Sequence, residues 1–381
     1  MNTPEQRPNR VTSIDIVRGL TMVIMALDHT REFWGATPAR PEDVAQTSVL
    51  LFFTRWITHL CAPGFIFLSG ASIYFYQSQK QSNSATSVFL LSRGAWLIVV
   101  EILLMSFILT HSYDTIVLSI LWAIGWCMIL MSAVIWLPRP LVLAISVVMI
   151  SAHNLWPTAN PVSSGQIILG AIHNSPFFIP QAGVLVTYTI IPWLGVMMAG
   201  YGLGKWFRVA TRERLFRVLG TALLFLFMVI RMLNEYGDPV PYATQERGEV
   251  FTLLSFLNVT KYPPSLLFLL VTLGILFLLL TVFKKDSAFG EFLLVYGNVP
   301  FFFFVVHFAL ISLTSYLWTV IAFGQGTNLA FTPFDQLPAT YEPSLLRVYL
   351  VWLAVIAVMY FPCRWFGRFK RKHGRWWLSY L

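Results

Sequence analysis

An all-α, polytopic membrane helix bundle of about ten transmembrane helices is the fold class that the sequence predicts, and three observations predict it. Of 381 residues, 57% are hydrophobic and only 11% charged, with a mean hydropathy of +0.68. A soluble domain carries about 25% charged residues. Apolar runs recur at lengths near the roughly 20 residues that cross about 30 Å of hydrocarbon. Lys and Arg gather on alternate connections between those runs, as they do in an oriented membrane protein.

The spans read at 16–34, 50–76, 88–110, 115–137, 141–157, 184–206, 215–233, 263–283, 298–322 and 346–366. Trp34, Trp136, Trp193, Trp206 and Trp365 fall near their ends, where amphipathic rings settle at the interface. One set of alternating segments holds Arg7, Arg10, Arg18, Lys80, Arg93, Arg139, Lys205, Arg208, Arg212, Arg214, Arg217, Lys284 and Lys285. It also holds Arg364, Arg368, Lys370, Arg371, Lys372 and Arg375, so 19 of the 26 Lys and Arg lie on one side. The positive-inside bias places both termini in the cytoplasm, with a basic tail at 367–381. Membrane orientation explains the net charge of +9, and no nucleic-acid partner is implied.

No internal repeat or low-complexity tract divides the chain, so 1–381 reads as a single membrane-embedded domain. The first apolar run is not followed by a small-residue cleavage site and reads as a retained helix. Cys61 and Cys127 fall inside spans and Cys363 at the inner end of the last, so no disulfide framework is implied. Loops at about 158–183, 231–262 and 323–345 read as the outer surface. The first of these, with Pro161, Gly165, Gly170, Pro176 and Pro180, has the composition of an outer or re-entrant loop.

Ionisable residues inside the spans carry most information, because a mid-membrane charge costs about 2.5–3.5 kcal/mol even on lenient insertion scales. In the first helix the longest apolar stretch, Gly19 to Leu27, is bracketed by Asp15 and Arg18 below and Asp28, His29 and Arg31 above. Such a helix inserts poorly alone and belongs inside a bundle, its polar groups facing a cavity. Arg18 and His29 are eleven residues apart, about 20° past three turns and roughly 16 Å of rise, so they share a face. A snorkelling arginine with an interfacial Asp-His pair is the simpler alternative.

In the second span Arg55 and His59 also share a face. His59 precedes Cys61-Ala62-Pro63-Gly64, where proline frees backbone carbonyls and a kinked, polar-lined helix follows. Glu101 and His307 lie mid-span, each either a functional group or a satisfied internal partner. His111, Asp114, His153, His173 and His373 read as solvated. Arg231, Asn234, Tyr236, Gly237 and Asp238, with Ser255, Asn258, Thr260, Lys261 and Tyr262, suit a polyhydroxylated ligand or a capped, hydrogen-bonded loop.

Soluble-enzyme signals are missing. Gly200-Tyr-Gly202-Leu-Gly204-Lys205 lacks the strand and spacing of a phosphate loop, and such glycines more often permit close helix packing. No Cys/His array has zinc spacing, no G-x-S-x-G elbow is present, and no metal is expected.

Ser13-Ile14-Asp15-Ile16-Val17-Arg18-Gly19-Leu20, with a histidine fourteen residues after the aspartate, resembles the opening of the integral-membrane acyltransferase group. The closer likeness is to the heparan-α-glucosaminide N-acetyltransferase catalytic-domain family, in its bacterial members. It continues through Asp28-His29-Thr30-Arg31, Phe53-Thr54-Arg55-Trp56 and Cys61-Ala62-Pro63-Gly64-Phe65. Leu121-Trp122-Ala123-Ile124-Gly125, Ile191-Pro192-Trp193-Leu194-Gly195, Asn234-Glu235-Tyr236-Gly237-Asp238-Pro239 and Lys261-Tyr262-Pro263-Pro264-Ser265 extend it in order.

That resemblance implies acyl transfer across a membrane, from cytoplasmic acetyl-CoA as donor to an amino sugar or other saccharide on the far side. It implies His29 as the key catalytic group, with Asp28 its neighbour, since imidazole serves as general base or nucleophile near neutral pH. Arg18, Arg93 and Lys205 lie on the side where CoA phosphates would arrive. Arg55, His59, Arg231, Asn234, Asp238, Asn258 and Lys261 are the expected substrate-binding residues. Membrane lipids are the surrounding partners, a homo-oligomer is left open, and bacterial relatives imply the inner membrane. A proton-coupled secondary transporter of a polar solute is the competing class, because buried carboxylates, arginines and histidines also build proton pathways. Such a protein would show inverted repeats, which the sequence lacks.

Overall fold

The computed structural model describes residues 11–156, 164–173, 176–283, 287–373 and 378. Arg7, Arg10, Lys284, Lys285, Arg375, the start of the 158–183 loop and most of the tail beyond 373 lie outside the described residues.

Three long helices open the bundle in chain order. They are α1 (Thr12–Trp34), α2 (Val49–Lys80) and α3 (Asn83–Thr110). A short strand β1 (Ile116–Leu118) leads into α4 (Ile120–Val134) and α5 (Arg139–Ala152). Then come α6 (Ser164–Ile172), β2 (Phe177–Ile179), β3 (Val184–Val186) and α7 (Trp193–Gly202). The remainder is α8 (Arg212–Leu233), α9 (Glu249–Leu257), α10 (Leu266–Val282), α11 (Ala288–Gly297), α12 (Pro300–Phe323) and α13 (Leu345–Lys372).

Among the described residues, α2, α3, α8, α12 and α13 are long and apolar enough to cross a membrane. Helix α1 has the length but carries Asp15, Arg18, Asp28, Arg31 and Glu32. It is buried around most of its circumference, against α2, α10, α11, α12 and α13, as its charges demand. Helix α2 is similarly internal, with 67% of its apolar window buried, whereas α8 and α13 bury 22% and turn the rest outward.

Two expectations need correction. The chain is mostly helical but not all-α, because β1, β3 and β2 form a three-stranded sheet in that order. Strand β1 pairs parallel with β3, Ile116 opposite Val184, and β2 pairs antiparallel with it, Phe177 opposite Val186. The β-branched residues Ile116, Val117, Val184 and Val186 favour strand over helix. The expected span at 184–206 is therefore strand followed by the ten-residue α7, and the one at 115–137 starts as strand before α4. The second correction is α11, which occupies a stretch expected to be a loop.

Small residues set the closest helix contacts, as expected in a lipid environment where tight packing replaces hydrophobic drive. A Cβ on Gly200 of α7 would collide with the carbonyl of Phe67 on α2, and one on Gly70 with that of Met197. Helices α1 and α11 cross the same way, Gly19 against Leu293 and Gly297 against Asp15. Gly200 thus serves helix packing and not phosphate binding.

In α2, Pro63 cannot donate to the carbonyl of His59, four residues back. The chain answers with a 3₁₀ turn at Ile57–Leu60, just ahead of the proline. In α3, Glu101 opens a π turn and is fully buried. Its carboxylate accepts from Ser119 N, Ser119 Oγ and Leu121 N at 3.1, 2.6 and 3.1 Å. It caps the N-terminus of α4, so the satisfied-partner reading of Glu101 is the one the geometry supports.

Candidate active site

The stretch of α2 from Thr58 to Phe65 and the upper half of α1 form part of the wall of a cavity of about 270 Å³. Asp28, His29, Glu32, Thr58, Lys261 and Tyr262 contribute its polar lining, with Phe65, Phe304, Phe308 and Tyr188 among its aromatic walls.

His29 sits half-buried in that wall, stacked on Phe308 with ring centroids 3.8 Å apart. Its Nδ1 lies 2.8 Å from Nε2 of His307, and His307 Nδ1 lies 2.7 Å from the carbonyl of Phe303. A carbonyl only accepts, so His307 must carry its proton on Nδ1. With both rings neutral, His307 Nε2 then accepts from His29 Nδ1–H. The relay leaves Nε2 of His29 as the nitrogen with a free lone pair. His307 is fully buried and supplies the orienting group that adjacent Asp28 does not.

Asp28 faces elsewhere, because neighbouring residues on a helix point about 100° apart. Its Oδ2 accepts from Arg55 Nη1 at 2.6 Å and its Oδ1 from Arg31 Nη2 at 3.1 Å. Lys261 Nζ stands 3.8 Å from Oδ2, outside hydrogen-bond range. Glu32 pairs with Arg31 at 3.3 Å and also reaches the cavity. All of these except Glu32 are buried, so this ion cluster is closed to water on most sides.

The remaining expected site residues lie apart from the cavity. His59 is buried beside the Phe268 ring, 5.2 Å between centroids, and its Nδ1 has no partner. Arg231 donates to four backbone carbonyls, those of Val240, Ser255, Phe256 and Asn258, at 2.8–2.9 Å. Asn234 exchanges hydrogen bonds with Tyr242, and Asn258 donates to the Glu42 carbonyl. Asp238 accepts from Thr260 N, Thr260 Oγ1 and Ser265 Oγ at 2.8, 2.9 and 2.6 Å. Four of the seven expected substrate ligands therefore knit the 231–265 segment together, while Arg55 and Lys261 join the cavity cluster.

At the other end of α1, Arg18 donates to Asp15 Oδ1 at 2.9 Å and to Ser72 Oγ of α2 at 3.2 Å. The Arg93 guanidinium lies over the Phe89 ring and Lys205 is exposed. None of the three lines the cavity.

Of the histidines expected to be solvated, two are buried and His111 is half-buried, its Nε2 2.6 Å from Ser312 Oγ. His153 and His173 are 5% and 4% exposed, with Nδ1 of one 3.3 Å from Nε2 of the other. Trp156 stacks on His173, and burial holds the His173 imidazole below its usual range. Sequence reading also passed over Glu32, although its position three residues after His29 puts it on the same side of the helix.

The long apolar helices define an integral membrane protein, and its cavity sets an ion cluster beside a histidine with a defined tautomer. Residues 10–235 match the family described as heparan-alpha-glucosaminide N-acetyltransferase, catalytic, and the chain belongs to that family. It is accordingly a membrane acetyltransferase of the kind that acts on saccharides. The matched residues include Asp28, His29 and Arg55, whereas Lys261 and His307 lie beyond them. Comparison with curated proteins gave no match.

Proposed function

We propose that the chain transfers an acetyl group from acetyl-CoA, entering from the cytoplasm, to an amino sugar or related saccharide on the opposite side of the membrane. The observation that carries this reading is the free Nε2 of His29 in the cavity, held by the His307 relay. As the acceptor nitrogen or oxygen attacks the thioester carbonyl, Nε2 takes its proton, and the proton then leaves with the CoA thiol. General bases of this kind contribute about 10²–10⁴-fold.

Asp28 anchors Arg31, Arg55 and Lys261 around the acceptor, and the rings of Tyr188 and Tyr262 offer flat faces to a sugar. Arg231, Asn234, Asp238 and Asn258 hold the segment that carries Lys261 in place. Arg18, Arg93 and Lys205 meet the CoA phosphates at the cytoplasmic end, with both chain termini on that side. The positive-inside bias supports this orientation, and the inner-membrane placement follows from the sequence's resemblance to bacterial members of the family.

Purified His29→Ala protein supplied with acetyl-CoA and glucosamine should lose at least about 10²-fold in transfer while staying folded in detergent. Transfer at the wild-type rate would remove His29 from this role. Mass spectrometry of enzyme quenched with acetyl-CoA alone reveals whether the acetyl group rests on His29 in transit.

A further inference from the structure

We propose that a groove at the basic end of the bundle, apart from the cavity, binds the headgroup of an anionic phospholipid, with Arg139 and Arg208 as its phosphate ligands. The inference is independent of the acetyltransferase reading.

The groove holds about 590 Å³ where the end of α2, the start of α3, the turn between α4 and α5, and the end of α7 meet. Its floor is a polar network. Tyr201 Oη donates to Gln77 Oε1 at 2.7 Å, and Gln77 Nε2 donates to Asn83 Oδ1 at 2.7 Å. Both amide oxygens accept within the floor, whereas Asn83 Nδ2 has no acceptor among the described residues. Two guanidiniums share the ring of Tyr74, which also lines the groove. Arg139 lies 5.3 Å and Arg208 5.8 Å from its centroid. Neither arginine donates a hydrogen bond or forms an ion pair among the described residues.

No carboxylate balances this charge. The sequence has no Asp or Glu between Asp43 and Glu101, nor between Asp114 and Glu213, so every segment lining the groove is free of acid. Glu213 itself pairs with neither arginine. Like charges on one ring, above an unused amide donor, complement a phosphate, whose oxygens take the two parallel bonds of a guanidinium fork. Basic pockets between helix ends take anionic headgroups for the same reason.

Two features make the occupant a lipid and not a soluble phosphate ester. The rim is apolar, with Trp136 57% exposed, and α5 continues from it with Leu141, Ala144 and Val148 turned outward at helical spacing. Acyl chains lie along that face while the phosphate meets the arginines. The seam between α2 and α7, which separates the groove from the cavity, is closed. A Cβ on Gly70 would strike the Met197 carbonyl, and one on Gly200 that of Phe67. A thioester arm held in the groove does not pass between these helices to His29, so the groove is not the seat of the acetyl donor.

Native mass spectrometry of the full-length protein in detergent, titrated with equal amounts of phosphatidylglycerol and phosphatidylcholine, reads the preference. Wild type should retain phosphatidylglycerol about 25-fold more strongly, taking roughly fivefold for each arginine beside an anionic headgroup. Arg139→Gln with Arg208→Gln should bring the ratio close to one, and Arg139→Lys with Arg208→Lys should keep most of it. An unchanged ratio in the glutamine pair overturns the proposal. Arg364→Gln with Arg368→Gln removes the same charge from α13 and should leave the ratio as it is; an equal fall there would reduce the preference to net charge and overturn the site. Glycerol 3-phosphate, a headgroup phosphate without chains, should not displace the lipid at equal concentration. Displacement by it would assign the groove to a soluble phosphate, and displacement by CoA would assign it to the donor. Either result rejects the lipid.

Discussion

Replacing His307 by phenylalanine tests the relay that makes His29 a base. His307 is fully buried, stacked on Phe303 at 4.8 Å between centroids and surrounded by Phe304 and Phe308, so a phenyl ring enters without opening a cavity. What is lost is the acceptor for His29 Nδ1–H, 2.8 Å away. Leaving a buried donor unpaired costs about 1–3 kcal/mol. If that cost falls on the reactive orientation, kcat drops by roughly 5–150-fold, at about 1.36 kcal/mol per tenfold. The loss should be smaller than that of His29→Ala, because the base remains and only its tautomer and aim are disturbed. His307→Gln, whose amide oxygen can accept from Nδ1–H, should recover most of the rate. Acetyl-transfer kinetics on the purified proteins should show the change in kcat, with the KM for acetyl-CoA unaltered. Wild-type kcat in His307→Phe would refute the relay.

Two further outcomes follow from the charged groups of α1. Arg55→Met strips Asp28 of its shortest partner and should destabilise the fold by about 3–5 kcal/mol, read as a lowered midpoint of thermal unfolding in detergent, whereas Arg55→Met with Asp28→Leu should recover much of it. An unchanged midpoint in the single variant would mean that the cluster is solvated. Arg18→Ala should raise the KM for acetyl-CoA more than that for the acceptor, because a guanidinium offers paired donors to a phosphate; a stability loss with unchanged CoA affinity by calorimetry would reduce Arg18 to the partner of Asp15 and Ser72.

What could be read from the sequence was whatever depends on spacing within one helix. The burial of α1 followed from its charges, the break in the regular turns of α2 from Pro63, and close packing at α7 from its glycines, though not the helix it packs on. Pairings between distant elements were not legible. His29 and His307 are 278 residues apart, and no local pattern links them. Glu101 could not be assigned a partner from the sequence because Ser119 and Leu121, which it caps, begin another helix. The 231–262 segment stayed open between two readings for a different reason. The residue types that bind a sugar also close a polar loop, and Arg231, with four carbonyls on one guanidinium, takes the second use. Periodicity likewise could not separate a short strand such as Val184–Val186 from the start of a span.

The adjacency of Asp28 and His29 is better understood as a division of labour than as a dyad. The two side chains leave α1 about 100° apart, so one helix addresses two different walls of the cavity. Asp28 turns to α2 and the segment before α10, where Arg55 and Lys261 approach it. His29 turns to α12, where His307 and Phe308 fix its ring. Had Asp28 contacted His29 directly, its charge would have been shared between the imidazole and the arginines. With His307 in that place, the histidine keeps a neutral partner and a defined free nitrogen, while the carboxylate is free to organise the cations. A buried ion cluster is poor evidence for stability, since apolar residues of similar volume often do as well. Its place beside His29, which opens on the cavity, is therefore an argument about binding: Asp28 and Glu32 set Arg31, Arg55 and Lys261 where an incoming substrate meets them.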